Sequence, residues 1–497
     1  MMKFARSIIG GIDRCLNGVT MYRLVLYGLG LLYAAGVSLG FLGVTRLSGF
    51  GLLASLAILI AGCYAVNKVL AWAWDVGTNS ESWLITALIL GLILPPATTA
   101  PRALAISLAA LLAMASKYIV AWRGKHLCNP AAFGAVAVGL LGIVSPTWWV
   151  GSKPMLPFTL IVGLLIIRKV RRFQLVIVFA LVAIAIMLAL GIDHGRTPQM
   201  IIEQSLTSWP SVFFASIMLT EPATMPPKRP MRLLYGALVG VLYAAQLQVG
   251  PVSVTPEMAL VLGNICAFAL SPRFAVVMRL KAKRQLTANS FEYVFAPQRP
   301  FSFQPGQYME WTLPHKRVDS RGNRRTFTIA SSPTEPDIRL GVKFYKPPSS
   351  YKQALLRMQP GDNLVARQLA GDFVLPKNPS QKLVLIAGGI GITPFRSQLK
   401  YLMDTKQQRD IALFYVVNDE SDVAYRDILQ AAQGIGVRVF VVSPRLTPEQ
   451  LHTNAPDYQT RTFYISGPNG MVSHYAGWLH DQGVGIRRIV TDYFSGY

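Results

Sequence analysis

At residues 383–394 the chain reads LVLIAGGIGITP, from Leu383 to Pro394. The apolar run at its start is typical of a strand buried on both faces, and the glycines after it allow a ligand to approach the backbone closely. Pro394 suits the first turn of a helix, whose N-terminus attracts phosphate groups. This order of strand, glycine turn and helix predicts an α/β Rossmann-like subdomain, which we place at residues 380–497. The turn residues expected to face a dinucleotide are Gly388, Gly389, Gly391, Thr393 and Pro394.

The segment before this stretch has a different pattern. From residue 277 to about residue 376, short runs of β-forming residues are separated by Gly, Pro and Asn. This spacing predicts a separate subdomain of short β-strands at residues 277–378. Within it, PGQY at residues 305–308 precedes RTFTIASSP at residues 325–333.

Two further motifs lie near the end of the chain, SGPNGM at residues 466–471 and DYFSGY at residues 492–497. In order and spacing, the whole set resembles the ferredoxin-NADP reductase superfamily from Val277 to Tyr497. The ordered set is specific, whereas one glycine motif alone would be weak. The resemblance implies a FAD-binding antiparallel β-barrel at residues 277–378, followed by an NAD(P)-binding α/β subdomain.

The resemblance assigns FAD contacts to the RTFT motif. Arg325 would pair with the flavin diphosphate, since a guanidinium binds phosphate in a bidentate manner. Phe327 would pack on the flavin, and Thr328 would lie near its N5 atom. A second phosphate-binding turn matches the pattern less well. The cofactor contacts expected from these two motifs are Arg325, Thr326, Phe327, Thr328, Ser349 and Ser350.

The resemblance also assigns the nicotinamide site. Thr393 would lie beside the nicotinamide, and Ser466 replaces the Cys that is common in the family. Asp492 would be an acid near the ring, and Tyr497 would cover the flavin. The expected catalytic residues are Thr328, Thr393, Ser466 and Asp492. Further cofactor contacts are expected from Gly467, Pro468, Met471 and Tyr497.

The choice between NADH and NADPH stays open in the sequence. The sequence Asn418-Asp419-Glu420 follows the next apolar strand, and its two acids favour the ribose hydroxyls of NADH. Arg445, after a later strand, could instead receive the 2′-phosphate of NADPH.

The composition of the whole chain indicates a membrane protein. Of 497 residues, 52% are apolar and 14% are charged, which is too apolar for a soluble globular protein. Up to Phe274 there are 20 Lys and Arg against 7 Asp and Glu, and after it 28 against 17. Only the second part has a soluble composition, so we predict a polytopic α-helical membrane domain at residues 21–275.

Apolar runs predict about ten spans, several of them shorter than the roughly 20 residues of a straight crossing. With the N-terminus inside, 16 of the 20 basic residues before Phe274 fall on the cytoplasmic side. This skew predicts that both ends of the membrane domain are cytoplasmic. The apolar stretch within residues 1–20 is too short for a signal peptide, so we expect these residues to form a cytoplasmic N-terminal segment.

An internal repeat appears at an offset of 126 residues. PATTAPR at residues 96–102 matches PATMPPK at residues 222–228, and Asn129-Pro130 matches Thr255-Pro256. The predicted topology makes this an inverted repeat, in which short spans meet near the midplane. Prolines also gather at span ends without any repeat, so both interpretations stay open.

A second resemblance covers nearly all of residues 21–275. It rests on LITALILGLILPP at 84–96, NPAAFG at 129–134, TEPAT at 220–224 and LYGALVG at 234–240. This set looks like a family of membrane proteins found in Rnf electron-transport complexes and in the sodium-pumping NADH:quinone reductase. Those proteins carry flavin, including an FMN linked to a Thr. The matching loop here, residues 144–154, lacks that motif, so a non-covalent FMN or riboflavin is the flavin that remains.

Four polar residues are the membrane-domain candidates: Asn129, Glu221, Thr224 and Glu257. Asn129 is expected to cap a helix that begins at Pro130, and Glu257 fits a first helical turn. Capping alone explains these residues. Alternatively, the helix N-termini hold an anionic or polar ligand such as a flavin or a quinone. Glu221 is a rare residue type in a membrane segment and a candidate for proton or cation handling.

Several other classes are disfavoured. The basic residues lie in short gaps between apolar runs, which argues against nucleic acid as a partner. Four separated Cys residues exclude a ferredoxin-type cluster, and no metal site is expected. Bis-His haem is disfavoured because only His126 and His194 occur in the membrane half, both in predicted loops.

The sequence therefore predicts an NAD(P)H-dependent FAD oxidoreductase in a bacterial-type plasma membrane. Electrons would pass from cytosolic NAD(P)H through FAD to a carrier in the membrane domain, and then to a quinone or an extracytoplasmic acceptor. One alternative is a solute or ion transporter whose membrane module is driven or regulated by the flavin domain. Another is a reductase that the membrane half merely anchors.

Overall fold

The computed structural model describes residues 11–13, 15–16, 19–74, 80–122, 125–245, 247–250, 252–270, 275–316, 318–319, 322–345 and 347–494. Most of the predicted N-terminal segment 1–20 and the predicted flavin cover Tyr497 lie outside these residues. The chain divides after Ser271 into two compact units. We call residues 1–271 unit 1 and residues 272–497 unit 2. The division lies a few residues before the boundary predicted from composition.

Unit 1 is built from helices and two small hairpins. Its helices are α1 (Met21–Phe41), α2 (Gly49–Ala73), α3 (Ser80–Ile93), α4 (Ala100–Ile119), α5 (Pro130–Leu140), α6 (Leu156–Val170), α7 (Phe173–Asp193), α8 (Pro198–Thr207), α9 (Ser211–Phe213, continuing as a π-helix over Phe214–Met218), α10 (Arg229–Ala244) and α11 (Pro256–Leu270). Its hairpins are β1 (Ala121–Trp122) with β2 (Lys125–His126), and β3 (Gln248–Val249) with β4 (Val252–Ser253).

Four helices among the described residues, α1, α2, α4 and α7, are long and apolar enough to cross a membrane. Their outward faces carry exposed apolar side chains such as Phe50, Leu104 and Leu181, as expected of helices that contact lipid. The helices at residues 81–93, 130–140 and 256–270 are apolar but shorter. The described residues thus contain four candidate spans, and the ten predicted crossings and their orientation stay a prediction.

The two halves of unit 1 repeat one series of elements. Helix α4 is followed by a hairpin and the short helix α5, and α10 is followed by a hairpin and the short helix α11. Helix α5 begins at Pro130 and α11 at Pro256, which is the predicted offset of 126 residues. The element order supports the predicted repeat, while its inversion stays a prediction.

The predicted cap of α5 is confirmed. Asn129 Oδ1 accepts a hydrogen bond from the backbone N–H of Ala132 at 3.1 Å, and Pro130 occupies the first turn. The cap satisfies a backbone donor that a buried helix end would otherwise leave unpaired. Because Asn129 is itself buried, this short helix starts inside the unit rather than at its surface.

Unit 2 begins with a six-stranded antiparallel sheet in the order β8-β7-β10-β5-β6-β9. Its elements are β5 (Ala275–Thr287), β6 (Ser290–Pro297), β7 (Tyr308–Thr312), β8 (Arg324–Thr328), β9 (Ile338–Lys343), helix α12 (Ser350–Arg357) and β10 (Asn363–Ala370). The sheet curls, and the chain after β8 meets the start of β9 through a hydrogen bond from Ala330 N–H to the Arg339 carbonyl at 2.8 Å. An apolar core that includes Trp311, Phe295 and Tyr351 fills its concave side.

The second part of unit 2 is a five-stranded parallel sheet in the order β13-β12-β11-β14-β15. Its elements are β11 (Leu383–Gly388), α13 (Thr393–Asp404), β12 (Ile411–Val416), α14 (Arg426–Gln433), β13 (Val437–Val442), α15 (Pro448–Asn454), β14 (Thr462–Pro468), α16 (Asn469–Asp481) and β15 (Ile489–Phe494). Two apolar cores cover its two faces. Because β11 is central, its C-terminal glycine turn lies at the point where the strand order reverses, the usual ligand position in such sheets.

Candidate functional site

The RTFT motif forms strand β8, and the alternation of the strand divides its residues between two faces. Arg325 and Phe327 share one face with Tyr351 of α12. The Arg325 Cζ atom lies 5.1 Å from the centroid of the Tyr351 ring, and the Phe327 ring centroid lies 6.1 Å from it. Thr326 points to the opposite, exposed face, so its side chain lies away from those of Arg325 and Phe327. Thr328 is buried at the end of the strand.

An anion-binding position joins Arg325 to the N-terminus of α12. Ser349 caps the helix, and the backbone N–H of Ser350 donates to Asp319 Oδ2 at 2.9 Å. Asp319 Oδ1 lies 4.0 Å from Arg325 Nη2. The Asp319 carboxylate thus lies between a guanidinium and a helix N-terminus, where a phosphate would be equally stabilised. The structure therefore joins Arg325 and Ser350 through Asp319, and their role as cofactor contacts stays a prediction.

Three residues of this site were not predicted from the sequence: Asp319, His315 and Tyr351. His315 Nε2 lies 3.0 Å from Ser350 Oγ, and Asp319 N–H donates to the same oxygen at 3.0 Å. Burial raises the pKa of Tyr351 well above its usual range, and the nearby Arg325 opposes the rise. Tyr351 directly follows Ser350, so only its neighbour could have pointed to it. Asp319 lies in a polar loop whose sequence matches no motif, so nothing in the sequence pointed to it.

The glycine turn after β11 packs against the later SGPNGM motif. A Cβ atom at Gly391 would lie 2.3 Å from the Ser466 carbonyl oxygen, and one at Gly388 would lie 2.2 Å from Met471 Sδ. Gly389 has a φ of +51°, which favours glycine. The two motifs, far apart in sequence, thus form one cradle in which backbone and Met471 leave no room for larger residues.

Thr393 and Pro394 occupy the first turn of α13, as predicted. Thr393 also faces the antiparallel sheet. A Cβ atom at Gly341 of β9 would lie 2.7 Å from Thr393 Cγ2 and 2.7 Å from the Tyr425 hydroxyl. The predicted nicotinamide turn therefore lies directly against the sheet that carries the predicted flavin residues.

Ser466 and Asp492 lie side by side on neighbouring parallel strands. Ser466 is fully buried, and its Oγ has no hydrogen-bond partner among the described residues. Asp492 is half-buried. The structure thus brings this pair to the same edge of the sheet as the glycine turn.

The acidic turn after β12 is exposed to solvent. Asp419 Oδ1 accepts hydrogen bonds from Ser421 N–H at 2.8 Å and Ser421 Oγ at 2.6 Å, and these bonds lower the pKa of Asp419. A carboxylate that stays ionised repels a 2′-phosphate but accepts hydrogen bonds from ribose hydroxyls. Arg445 is also exposed, so the choice between NADH and NADPH stays a prediction.

In unit 1, three of the four predicted polar residues form one cluster. Asn129 Nδ2 donates to Glu221 Oε2 at 2.9 Å, and Thr224 Oγ1 donates to the same oxygen at 3.2 Å. The Asn129 backbone N–H donates to Asn264 Oδ1 at 2.9 Å. Asn264 Nδ2 in turn donates to the Tyr235 hydroxyl at 2.8 Å. Asn264 and Tyr235 were not predicted, because each follows the helical pattern of a buried face.

The fourth candidate, Glu257, belongs to a different contact. Its Oε2 accepts a hydrogen bond from Trp148 Nε1 at 2.8 Å, and both side chains are buried. Glu257 therefore has a partner in the segment that joins the two halves of unit 1, rather than in the Asn129 cluster.

Comparisons with known proteins locate a family match in unit 2. Residues 385–476 match the family model described as "Oxidoreductase NAD-binding domain". An NAD-binding domain is therefore present, and its bounds enclose the glycine turn, Ser466 and Met471. This match does not extend to unit 1.

Curated proteins give weaker similarities. The chain is 26% identical over 196 residues to the glycine betaine monooxygenase reductase subunit of Chromohalobacter salexigens, covering 35% of this chain and 52% of that protein. It is 24% identical over 248 residues to a flavohemoprotein of Bacillus cereus, covering 45% and 60%. The chain thus spans between half and three fifths of the length of these relatives.

Two solved structures are also similar to part of this chain. One is the FAD/NAD-binding domain of a nitric oxide dioxygenase from Vibrio cholerae, with a TM-score of 0.40 and 20% identity, covering 44% of this chain and 98% of that one. The other is a ferredoxin NADP+ reductase from Neisseria gonorrhoeae, with a TM-score of 0.39 and 18% identity, covering 45% and 99%.

Proposed function

We propose that this protein is a membrane-bound NAD(P)H oxidoreductase that uses FAD. Electrons from NAD(P)H would leave through unit 1 to a quinone or an extracytoplasmic acceptor. The observation that carries the proposal is the packing of Thr393 against Gly341. It sets the start of a helix suited to a nicotinamide dinucleotide against the sheet that holds the anion-binding position.

The residues present fit FAD. The Asp319 carboxylate between Arg325 and the Ser350 N–H marks a position where a diphosphate would be stabilised. Phe327 offers an aromatic face for a flavin ring, and Thr328 follows it at the end of the strand. When bound, FAD would accept a hydride from the nicotinamide and pass the electrons on. Arg325 would hold the diphosphate, and Phe327 would orient the ring.

The residues around the glycine turn fit NAD(P)H. Nothing lies within 4 Å of a Cβ position at Gly389, so a pyrophosphate can approach the backbone there, and the first turn of α13 attracts its charge. Thr393 would border the nicotinamide on the sheet side. Ser466 and Asp492 would border it at the strand ends. We assign NADH as the preferred donor because Asp419 and Glu420 follow β12.

In unit 1, we assign the Asn129 cluster as the site of a polar ligand. Buried amide, carboxyl and hydroxyl groups from α5, α10, α11 and the loop after the π-helix converge there. Buried polar groups inside a membrane unit are costly and mark functional sites. A second, non-covalent flavin, FMN or riboflavin, or a quinone has polar groups that suit this cluster. A carrier of this kind is needed because the hydrocarbon layer is about 30 Å thick.

The test uses the full-length protein purified in detergent. Flavin is extracted with acid and quantified by chromatography for the wild type, for Arg325→Ala and for Asn129→Ala. We expect FAD to be lost in Arg325→Ala, and any FMN or riboflavin to be lost only in Asn129→Ala. NADH oxidation is then measured with ferricyanide and with a water-soluble quinone. Absence of FAD from the wild type, or of any NADH or NADPH oxidation, would refute the proposal.

The repeat in unit 1 supports a second candidate function. Two short helices that start inside the unit also suit a solute or ion transporter coupled to the flavin domain. In reconstituted vesicles, the oxidoreductase reduces one two-electron acceptor for each NADH consumed. A transporter moves solute or ions without such stoichiometric acceptor reduction.

A further inference from the structure

A buried ion pair joins the two subdomains of unit 2. Arg396, in the first turn of α13, forms a bidentate pair with Glu335, which lies in the turn between β8 and β9. One of its two hydrogen bonds, from Nη2 to Glu335 Oε1, measures 2.9 Å. The two side chains are 5% and 10% exposed. Neither residue was singled out by the sequence motifs.

The antiparallel sheet holds Glu335 in place. Arg339 of β9 donates from Nε to Glu335 Oε1 at 3.0 Å and from Nη1 to Glu292 Oε2 at 2.8 Å. The backbone N–H of Ser332 donates to Glu335 Oε2 at 2.7 Å. The acceptor that Arg396 meets therefore has a fixed position, because three separate donors hold the two carboxylates of this cluster.

Arg396 and its neighbours are also tied to the sheet directly. Arg396 Nη1 donates to the Ala330 carbonyl at 3.1 Å, and Ser397 Oγ donates to the Ser331 carbonyl at 2.6 Å. Gln398 Nε2 donates to the Phe373 carbonyl at 2.9 Å. Three consecutive residues of one helical turn thus contact backbone carbonyls, two in the segment after β8 and one in the segment between the two sheets. The Arg396 Cζ atom also lies 5.8 Å from the Tyr425 ring centroid.

Arg396 lies on the same side of α13 as Thr393, so its contacts with the antiparallel sheet also affect where Thr393 lies. The two residues are three positions apart and share a face of α13. Thr393 meets Gly341 of β9, and Arg396 meets the turn that precedes β9. A buried ion pair adds little to stability compared with apolar packing, but its bidentate geometry fixes direction and distance.

We propose that Arg396 and Glu335 are positioning residues for hydride transfer. They hold the N-terminus of α13, and with it Thr393, at the separation from the flavin sheet that the reaction requires. Thr393 would border the nicotinamide, while Arg396 and Glu335 would not touch either cofactor. This inference rests on the proposed function, because it assumes that a nicotinamide and a flavin meet between Thr393 and the sheet.

The test compares four full-length variants in detergent: Arg396→Met, Arg396→Lys, Glu335→Gln and the control Arg487→Met. Arg487 is an exposed arginine just before β15. FAD-loaded protein is mixed rapidly with increasing NADH, and the bleaching of the flavin absorbance is followed. The dependence on NADH concentration separates the limiting rate from the apparent Kd.

We expect the limiting rate to fall at least about tenfold in Arg396→Met and in Glu335→Gln, because small displacements of reacting groups slow transfer strongly. The apparent Kd for NADH should change less than about threefold, since the glycine cradle is untouched. Arg396→Lys keeps the charge but loses the bidentate geometry of the guanidinium. Its limiting rate should therefore lie between those of the wild type and Arg396→Met. Arg487→Met should match the wild type.

A second readout does not depend on turnover. Hydrogen exchange of FAD-free protein is compared for peptides covering residues 328–340. We expect faster exchange there in Arg396→Met but not in Arg487→Met, because the loss of the Arg396 hydrogen bonds removes a restraint on the turn that carries Glu335. An unchanged limiting rate in Arg396→Lys and Glu335→Gln would overturn the inference. A wild type that NADH does not reduce would instead overturn the proposed function.

Discussion

At the scale of single residues, the carboxylate of Asp319 has the clearest consequence. It accepts the Ser350 N–H and faces Arg325, so it occupies the position that we assign to the FAD diphosphate. Two anions cannot share this position without strong repulsion. FAD binding therefore has to displace Asp319, and the cost of that displacement makes the free energy of FAD binding less favourable.

We accordingly expect Asp319→Asn to bind FAD about three- to tenfold more tightly than the wild type, since a charge-assisted contact of this exposure contributes roughly 1 kcal/mol. The Kd is measured by quenching of FAD fluorescence in flavin-free full-length protein. Asp337→Asn, which removes a carboxylate paired with exposed Lys281 on the same sheet, is the control. Equal or weaker FAD binding in Asp319→Asn would contradict this account.

Gly391 gives a second prediction at this scale. A Cβ atom there would meet the Ser466 carbonyl oxygen at 2.3 Å and Gly467 Cα at 2.6 Å, and backbone atoms cannot yield as a flexible side chain can. We expect Gly391→Ala to lower the free energy of unfolding of unit 2 by about 1–3 kcal/mol and to weaken NADH binding. Thermal unfolding and NADH titration check both. Gly470→Ala, where nothing lies within 4 Å, should not lower the free energy of unfolding and should leave NADH binding unchanged.

At the scale of elements, the strands of the parallel sheet are tied together at their starts. Arg461, just before β14, donates to both carboxylate oxygens of Asp410, just before β12, at 2.7 Å each. It also pairs with Asp457, whose carboxylate accepts a hydrogen bond from Lys382 Nζ at 2.8 Å. This cluster lies at the opposite end of the strands from the glycine turn, so its role is structural.

The cluster predicts a dependence of stability on pH. Hydrogen bonds from Arg461 and then Lys382 lower the pKa of Asp457 to about 2, below its usual 3.8. A carboxyl whose folded pKa is lowered stabilises the fold above its unfolded pKa and loses that contribution as pH falls. We expect the Asp457 contribution, about 1 kcal/mol after allowance for solvent screening, to vanish as the pH falls from about 4 to about 2.

Thermal unfolding of the wild type and of Asp457→Asn between about pH 6 and about pH 2.5 checks this expectation. The two should differ most at the upper end of this range and converge towards the lower end. Glu449→Gln, in the first turn of α15, serves as the control for a general effect of charge. A difference that stays constant with pH would argue against the linkage.

Elements were the level at which the sequence was most informative. The period of apolar residues and the glycine turns predicted both sheets of unit 2, because strands of this kind leave a local pattern. The offset of 126 residues predicted the matching starts of α5 and α11. What local pattern could not predict are contacts between distant positions. Arg396 with Glu335, Asp319 with Ser350 and Asn129 with Asn264 are 31 to 135 residues apart, and each lies within an ordinary-looking segment.

At the scale of the whole molecule, the two units separate two measurable activities. Unit 2 contains the groups assigned to NADH and FAD, whereas the Asn129 cluster lies in unit 1. We therefore expect Glu221→Gln to leave NADH oxidation by ferricyanide unchanged within about twofold, because that acceptor takes electrons from the flavin directly. Reduction of a membrane quinone should fall at least about tenfold, because a buried carboxylate that organises Asn129 and Thr224 is lost.

Both activities are measured on the same preparation in proteoliposomes, so that their ratio is independent of the amount of active protein. Glu203→Gln, which removes an exposed carboxylate paired with Lys153, is the control in unit 1. Parallel losses in both assays would place the effect of Glu221 on folding rather than on electron transfer through unit 1.

The repeat in unit 1 has a last consequence, for stoichiometry. Two copies of one structural plan would ordinarily offer two equivalent sites, but the copies differ in chemistry. At the offset of 126 residues, Asn264 corresponds to Val138, and Glu221 precedes its Pro-Ala-Thr where Pro95 precedes the other. Most of the clustered polar groups therefore come from the second copy. Unit 1 is thus a structural duplication whose two copies are chemically different. We therefore expect it to bind a single molecule of its polar ligand.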